Sequence, residues 1–237
     1  KIRKIIKQNN GIITAKELSY NKIDSWYLTN MLQKGELERV ARGIYFDPNF
    51  DNYDELYFFQ LQNKACIYSY HSALYLHRLT DRLPFINEVT VKQGYNAWRI
   101  KDSAIVHQVK KEWYELGKVE IKTYMGNLVC AYDMERTICD LVRDRKNQDT
   151  EIFSKTWNLY IKKDSKDIWK LRAYAKEFGI GSKTGIDIPG ELTGTLPSPE
   201  WKKKRFKKKQ DQRWLPGDLI NMSIGQGFVL ATPIQIA

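Results

Sequence analysis

The first 46 residues carry short apolar repeats of helical spacing, separated by polar breaks. Isoleucines recur at that spacing in residues 2–6, and Gly11 suits the end of the helix they predict. Thr14 is followed three residues later by Glu17, which is the capping-box pattern that begins a helix. The pattern therefore predicts two helices before a short polar turn.

A third helix and a hairpin follow in the same region. Either Asp24 or Ser25 can begin the helix, and Gly35 ends it. Its inward stripe comprises Leu28, Met31 and Leu32. Residues 36–46 then alternate between apolar and polar side chains, with Arg42-Gly43 as the turn between two short strands. Three helices followed by a β-hairpin is the order of a winged helix-turn-helix.

The outward face of the third helix carries side chains suited to DNA. The second helix of a helix-turn-helix pair enters the major groove, where Asn and Gln pair with adenine and Ser and Thr serve as short donors or acceptors. Lysine and arginine on the turn and hairpin stand where phosphate contacts normally arise. The candidate DNA-binding residues are Lys22, Ser25, Trp26, Thr29, Asn30, Gln33, Lys34, Arg39 and Arg42. The alternative is a helical subdomain with an ordinary solvated face, and the hairpin favours DNA binding.

From residue 51 the chain mixes strand-like and helix-like segments. The first segment, "DELYFFQLQNKACIYSYHSALYLHRL", has an apolar repeat that fits either two helices or a strand and a helix. Alternating Val and Ile then predict strands in "NEVTVKQG", "IVHQVKK" and "VEIKTYMGNLVCAYD". Helical spacing returns in "MERTICDLVRDR", "IFSKTWNLYIKK" and "IWKLRAYAKEF". The predicted fold class is α+β, with a winged helix-turn-helix over residues 1–48, a mixed α+β domain over 49–177 and a further segment over 178–237.

The composition is that of a folded, basic protein. Seven Trp and fourteen Tyr argue against wholesale disorder. The formal charge of +11 favours a polyanionic partner, although composition does not separate nucleic acid from anionic lipid. No apolar run predicts a membrane span or a secretory signal. Cys66, Cys130 and Cys139 are too widely spaced for a disulfide framework or a zinc knuckle. We therefore expect reduced thiols, a cytoplasmic location, no metal and no cofactor.

Four blocks resemble the AbiE-type abortive-infection antitoxins, a family of bacterial transcriptional regulators. They are "GIITAKEL", "GELERVARGIYF", "YSYHSALYLHRLTDR" and "YDMERTICDLVRDR", within residues 1 to about 178. The resemblance implies that the winged helix-turn-helix represses its own operon by binding inverted repeats in double-stranded DNA, an arrangement that suits a dimer. Lys22 to Lys34 would be the recognition segment and Gly35 to Tyr45 the wing. A second domain would counter a nucleotidyltransferase-like toxin of a type IV system, with no direct contact implied and no membrane partner.

One block departs from that family: where a Ser-His-Glu-Ser-Ala-Leu type sequence is expected, the chain has Ser69-Tyr70-His71-Ser72-Ala73-Leu74, so that His71 stands where a Glu is expected. The departure puts any antitoxin role of that Glu in doubt. His71 and His77 with Cys66 do not make a zinc site, since no fourth ligand stands nearby. Ser72 and His71 do not make a hydrolase pair, because adjacent residues do not face each other.

Three polar residues in the "MERTICDLVRDR" block also invite an active-site interpretation. Glu135 and Asp140 are five positions apart, so they do not share one helical face. Arg136 and Asp140 are four apart, which is the spacing of an ion pair within a helix. We expect that ion pair rather than a catalytic cluster.

The segment from residue 178 resembles a second family, the class B penicillin-binding proteins, which are elongation-type transpeptidases. The matching blocks are "FGIG", "KTGIDIPGE", "PSPEW", "PGD" and "SIGQG". In that family "KTGIDIPGE" lies between the second and third active-site motifs. Lys183-Thr184-Gly185 therefore has the same residues as the catalytic Lys-Thr-Gly motif but does not occupy that motif's position in the family's sequence. The Ser-x-x-Lys nucleophile motif occurs only at Ser19 to Lys22, in the helix-turn-helix. These positions predict that the chain is not an enzyme.

Two other functions stay open at this stage. "WKKKRFKKK" over residues 201–209 places seven basic residues beside two aromatic ones, which suits phosphate contacts and base stacking. The simpler interpretation is a solvated basic loop. The alternatives are a non-specific basic nucleic-acid-binding protein and a fragment of a peptidoglycan transpeptidase without its nucleophile. A phosphate-binding loop is excluded, because Ser182 precedes Lys183 where that motif requires Gly.

Overall fold

The described part of the chain forms both helices and sheets, so the predicted α+β class is confirmed. The computed structural model describes residues 1–179, 194–195, 197–215 and 218. By their internal contacts these residues form two compact units. The first unit comprises residues 1–67 and 120–130, and the second comprises 68–119 and the described residues from 131 onward.

Residues 1–46 contain three helices and a three-stranded sheet. The elements are α1 (Ile2–Gln8), β1 (Ile12–Thr14), α2 (Ala15–Tyr20), α3 (Trp26–Gln33), β2 (Glu38–Ala41) and β3 (Ile44–Phe46). The sheet has the order β1-β3-β2, with both pairs antiparallel. The three predicted helices and the hairpin are present. Sequence reasoning missed β1, because three residues between two helices are too few to show alternation.

The start of α2 follows from the predicted capping box. Glu17 N–H donates to Thr14 Oγ1 at 3.3 Å, and Thr14 N–H donates to the Glu17 carboxylate at 2.7 Å. These bonds satisfy backbone donors that the helix leaves unpaired. The same helix buries Leu18 in a cluster with Ile6 and Ile13, each at most 2% exposed. Burying each such side chain contributes about 1.5–3 kcal/mol.

The rest of the described chain adds helices and a second sheet. Its elements are α4 (Glu55–Gln62), β4 (Ile67–Tyr68), α5 (Tyr70–Leu76), β5 (Asn87–Lys92), β6 (Ala104–Val109), α6 (Lys111–Tyr114), β7 (Lys118–Lys122), β8 (Leu128–Tyr132), α7 (Met134–Arg143), α8 (Thr150–Lys162), α9 (Ile168–Glu177) and α10 (Pro199–Arg205). The five-stranded sheet has the order β6-β5-β4-β8-β7. Strands β5 and β6 are parallel, as are β4 and β8. The predicted strand segments and the three predicted helices are all found.

The core of the second unit gathers around α5, α7, α8 and α9. Leu74, Ile138 and Tyr160 are fully buried there, and Leu141 and Leu171 are nearly so. The apolar repeat of α7 thus faces a core, as its helical spacing predicts. This packing places the polar residues of α7 inside the unit.

Candidate nucleic-acid interface

Helix α3 is bounded by two local signals. The Asp24 carboxylate accepts the N–H of Trp26 at 2.8 Å, whereas Ser25 makes no side-chain capping bond. Of the two start residues predicted, Asp24 therefore supplies the cap. At the other end Gly35 has φ +70°, and the N–H of Glu36 reaches the Met31 carbonyl at 2.9 Å. This closure is a Schellman motif, which favours glycine because the position is left-handed.

The inward stripe of α3 fixes how the helix is rotated. Leu28 is 2% exposed and packs in one cluster with Leu18 and Leu37, while Met31 and Leu32 pack against it half-buried. The opposite side of a helix packed in this way faces solvent. The predicted recognition face is therefore outward.

The nine predicted contacts lie almost entirely at the surface. Asn30 is half-buried and the other eight are exposed. The exposed residues are Lys22, Ser25, Trp26, Thr29, Gln33, Lys34, Arg39 and Arg42. On α3 itself, Trp26, Asn30 and Gln33 are spaced by four and three positions, so they form one outward row. The amide side chains in this row are of the kind that can pair with base edges.

The hairpin carries Arg39 on β2 and Arg42 in its tight turn. Ala41 pairs with Ile44, which leaves Arg42 and Gly43 as the loop, and Gly43 has φ +77°. The Gly43 carbonyl accepts the N–H of Ala15 at 2.8 Å, so the tip is tied to the start of α2. Arg42 is exposed at this anchored tip.

Lys22 occupies an unusual backbone position. It has φ +53° at the end of α2, where the N–H of Ile23 reaches the Leu18 carbonyl at 2.9 Å. A lysine in this left-handed position costs about 1–2 kcal/mol relative to glycine. The closure turns the chain toward α3 and leaves Lys22 exposed beside it.

The charge of this region is strongly positive. Residues 1–46 hold nine Lys or Arg and four Asp or Glu. Residues 1–46 all lie in the described part of the chain, and the only ion pair found within them joins Arg3 to Glu36 at 3.1 Å. An open groove of about 690 Å³ lies beside α3 and is bordered by Lys22, Asn30 and Lys34. Cations without an acidic partner are free to meet phosphate.

The polar residues of α7 have a different environment. Arg136 is fully buried, donates to Asp140 at 2.9 Å and to the Trp113 carbonyl at 2.6 Å, and lies 4.4 Å from the centre of the Tyr132 ring. Burial raises the pKa of the Asp140 carboxyl, and the Arg136 guanidinium acts in the opposite direction. Glu135 accepts from the Tyr160 hydroxyl at 3.0 Å. The predicted Arg136–Asp140 pair is confirmed, as a buried structural contact.

The histidines of the second unit are also engaged in packing. His71 Nδ1 lies 2.9 Å from a Glu88 carboxylate oxygen, which raises the pKa of His71. His77 Nε2 lies 2.7 Å from the Tyr132 carbonyl, and burial lowers the pKa of His77. Over the ranges that the structure describes, no group of three or more His, Cys, Asp or Glu is arranged to hold a metal.

The basic segment near the C-terminus is partly helical, which corrects the expected loop. Ser198 accepts the N–H of Trp201 at 3.1 Å and so begins α10. Lys202 is buried and pairs with Asp218 at 2.5 Å, while the other six basic residues of the segment are exposed. The Lys183-Thr184-Gly185 letters lie outside the described residues.

Two family models match the chain. Residues 1–45 match "Transcriptional regulator, AbiEi antitoxin", and residues 147–237 match "Penicillin binding protein transpeptidase domain". Both resemblances stated from the sequence are confirmed. The transpeptidase match begins at residue 147 and so includes α8 and α9. The predicted boundary near residue 178 stays a prediction.

Several curated relatives are named peptidoglycan D,D-transpeptidases. The peptidoglycan D,D-transpeptidase MrdA of Acinetobacter baumannii is 42% identical over 78 residues, which are 33% of this chain and 11% of that protein. MrdA of Escherichia coli K12 is 47% identical over 68 residues, 29% of this chain and 10% of that protein. The chain thus spans about a tenth of these relatives. A chain in the complex of penicillin-binding protein (PBP2) and MreC from Helicobacter pylori is 28% identical over 51% of this chain and 20% of that chain, with a TM-score of 0.29.

These matches correct one prediction. The absence of a transpeptidase nucleophile motif near the C-terminal segment predicted that the chain is not an enzyme. That prediction is wrong, because residues 147–237 match the catalytic domain family of penicillin-binding proteins and the relatives are named as D,D-transpeptidases. The prediction failed because it relied on the order of motifs along the family's sequence, whereas this chain spans only about a tenth of the relatives.

No helix within the described ranges is long and apolar enough to cross a bilayer. The two matched regions do not overlap, since one ends at residue 45 and the other begins at 147. The chain therefore joins an N-terminal segment similar to AbiEi antitoxin transcriptional regulators to a C-terminal segment similar to penicillin-binding-protein transpeptidases.

Proposed function

We propose that the protein binds double-stranded DNA in a sequence-specific manner and represses its own operon as the antitoxin of a type IV toxin–antitoxin system. The observation that carries the proposal is the outward row of Trp26, Asn30 and Gln33 on a helix whose opposite side is packed. The family match of residues 1–45 to transcriptional regulators supports it. We assign DNA binding to residues 1–48 and the antitoxin-type domain to 49–177.

The proposal divides the interface into two kinds of contact. Asn30 and Gln33 read adenine edges in the major groove, with Ser25 and Thr29 as short donors or acceptors. Lys22, Arg42 and the remaining basic residues neutralise phosphates and set the register. Inverted repeats would then take two protomers, each with its α3 in one half-site. The protein acts in the cytoplasm, and it antagonises a nucleotidyltransferase-like toxin without having to contact it.

Fluorescence anisotropy tests the proposal with the whole chain. The probes are a duplex carrying the inverted repeats upstream of the gene and a scrambled duplex of the same composition, over a salt series. We expect tighter binding to the repeats at every salt concentration. The Arg42→Gln substitution removes one phosphate contact, so the negative slope of log K against log salt should become shallower by about 0.9.

The matched control is Lys203→Gln on α10, which removes an exposed positive charge outside the proposed interface. It should leave preference for the repeats unchanged. Equal affinity for both duplexes, with a loss on Lys203→Gln and none on Arg42→Gln, would contradict the proposal. That result would identify a non-specific basic nucleic-acid-binding protein.

The match of residues 147–237 favours a second candidate function, acyl transfer of the penicillin-binding-protein type. In that chemistry a serine oxygen attacks the β-lactam carbonyl, the ring C–N bond breaks, the released nitrogen takes up the serine proton, and the opened ring stays on the serine as an ester. A fluorescent penicillin should then label the native chain in a form that survives a denaturing gel, and unlabelled penicillin added first should prevent it. Labelling no stronger than that of heat-denatured protein would reject this candidate.

A further inference from the structure

Two neighbouring aromatic side chains at the start of α3 are exposed to solvent. Trp26 is 60% exposed and Tyr27 is 50% exposed. Their rings make an edge-to-face contact with centroids 5.3 Å apart. Exposed large apolar side chains that lie together mark an interaction surface more often than scattered ones do. The base contacts proposed for Asn30 and Gln33 do not involve this aromatic surface.

The position of Trp26 indicates what it meets. It is the first residue of α3, and the N-terminal residues of a recognition helix contact base edges. Asn30 lies four residues on, so the indole is the neighbour of the side chain that suits adenine. In the major groove the apolar group that bases present is the 5-methyl of thymine. The bases of a duplex are paired and stacked, so the indole would meet the methyl edge of a thymine rather than the face of an unpaired base.

We propose that Trp26 reads a thymine methyl group next to the adenine read by Asn30, so that the operator half-site contains adjacent thymine and adenine. This inference rests on the proposed function and adds a base preference to it. It assigns the indole a role in specificity rather than in phosphate contact.

A double-variant cycle between protein and DNA tests the assignment. The duplex that the whole chain selects from a randomised pool is the probe, and a second form carries deoxyuridine at each thymine in turn, which removes only the methyl group. For the unsubstituted protein we expect about a fourfold loss of affinity at one thymine, the factor that corresponds to about 0.8 kcal/mol for one buried methyl. For Trp26→Ala the two duplexes should bind equally.

The matched control is Trp98→Ala, which removes another exposed indole, one that lies in the second unit. It should keep the fourfold methyl effect. A methyl effect that persists in Trp26→Ala, or none in the unsubstituted protein, overturns the inference while selection of a defined duplex leaves the proposed function standing. Failure to select any duplex sequence overturns both, and tighter binding to the single strand than to the duplex would assign Trp26 to base stacking instead.

Discussion

Helices α3 and α7 carry similar patterns and use them in opposite ways. Each has an apolar stripe with polar residues between its members. On α3 the polar residues point to solvent, and Gln33 is exposed. On α7 they are enclosed, with Arg136, Asp140 and Glu135 at most 3% exposed. Polar residues at helical spacing thus become an exposed surface or a core network according to what covers the helix.

The cause of the difference lies in the number of neighbours around each helix. Helix α3 packs with one side only, through Leu28. Helix α7 packs in the cluster that also contains residues of α5, α8 and α9. Burial of a charge is tolerated only when partners satisfy it. Arg136 has such partners in Asp140 and the Trp113 carbonyl.

The largest effect is expected from breaking the α7 network. Arg136→Met removes the guanidinium and leaves the Asp140 carboxyl buried without its main partner. We expect the free energy of unfolding to fall by about 3–5 kcal/mol, measured by urea denaturation followed by tryptophan fluorescence. Replacing both members, Arg136→Met with Asp140→Leu, should recover much of that loss because neither member of the pair is left buried without its partner.

The control is Arg143→Met. Its guanidinium lies 3.5 Å from Asp140, and its side chain is 36% exposed. Its effect should stay below about 1 kcal/mol, as for other partly exposed pairs. Equal losses for the two arginine variants would show that burial does not distinguish these contacts.

A smaller loss of stability is expected from the backbone that approaches α7. Gly117 has φ +78°, and a Cβ there would lie 2.7 Å from the Cβ of Arg136. Gly117→Ala should lower the free energy of unfolding by about 3 kcal/mol, from the left-handed backbone and the overlap together. Gly94→Ala is the matched control, since Gly94 has φ +86° and open space around it. It should cost about 1 kcal/mol, and a similar cost at both sites would argue against close packing at Arg136.

The sequence predicted the winged helix well and its surroundings less well. The capping box at Thr14 and the helix end at Gly35 depend on interactions between residues close in sequence, so both could be predicted from the local sequence. The i, i+4 pairing of Arg136 with Asp140 was readable for the same reason. Its complete burial was not, because burial depends on helices that are distant in the sequence.

The site was predicted in the same uneven way. Outward residues of α3 follow from helical spacing, and their exposure agrees with it. The left-handed backbone of Lys22 carries no signal in the sequence, since glycine or asparagine is the usual residue there. The buried pair of Lys202 with Asp218 was missed because the two residues lie 16 positions apart in a run that reads as solvated charge.

On the α3 side of the comparison, removing polar atoms should affect DNA binding and leave folding unchanged. Asn30→Ala and Gln33→Ala should each weaken binding to the inverted-repeat duplex by about 1–3 kcal/mol, measured by anisotropy, because each loses a base pairing. Asn158→Ala on α8 is the control, since Asn158 is a helical asparagine that lies outside the proposed interface. If it weakened binding as much as Asn30→Ala, the assignment of α3 would be wrong.

The smallest effect concerns pH. His71, His77 and His107 are the three histidines, and all lie in the second unit. The Glu88 hydrogen bond raises the pKa of His71, whereas burial lowers the pKa of His77 and His107.

The contribution of the His71–Glu88 contact to stability should therefore be present below about pH 6.5 and be lost as pH rises through the higher folded pKa. Glu88→Gln should destabilise the protein more at pH 6 than at pH 8, by less than about 1 kcal/mol after solvent screening. A larger loss at pH 8 would contradict the assignment. DNA binding by the histidine-free residues 1–46 should not follow this pattern.

Hydrogen–deuterium exchange of the whole chain, with and without the inverted-repeat duplex, tests the contrast between the two helices most directly. We expect slower exchange on DNA binding in residues 22–42, which include α3 and the first strand of the hairpin, and no change in α7. Protection of residues 201–209 with none at α3 would contradict it and would move the nucleic-acid interface to the basic segment.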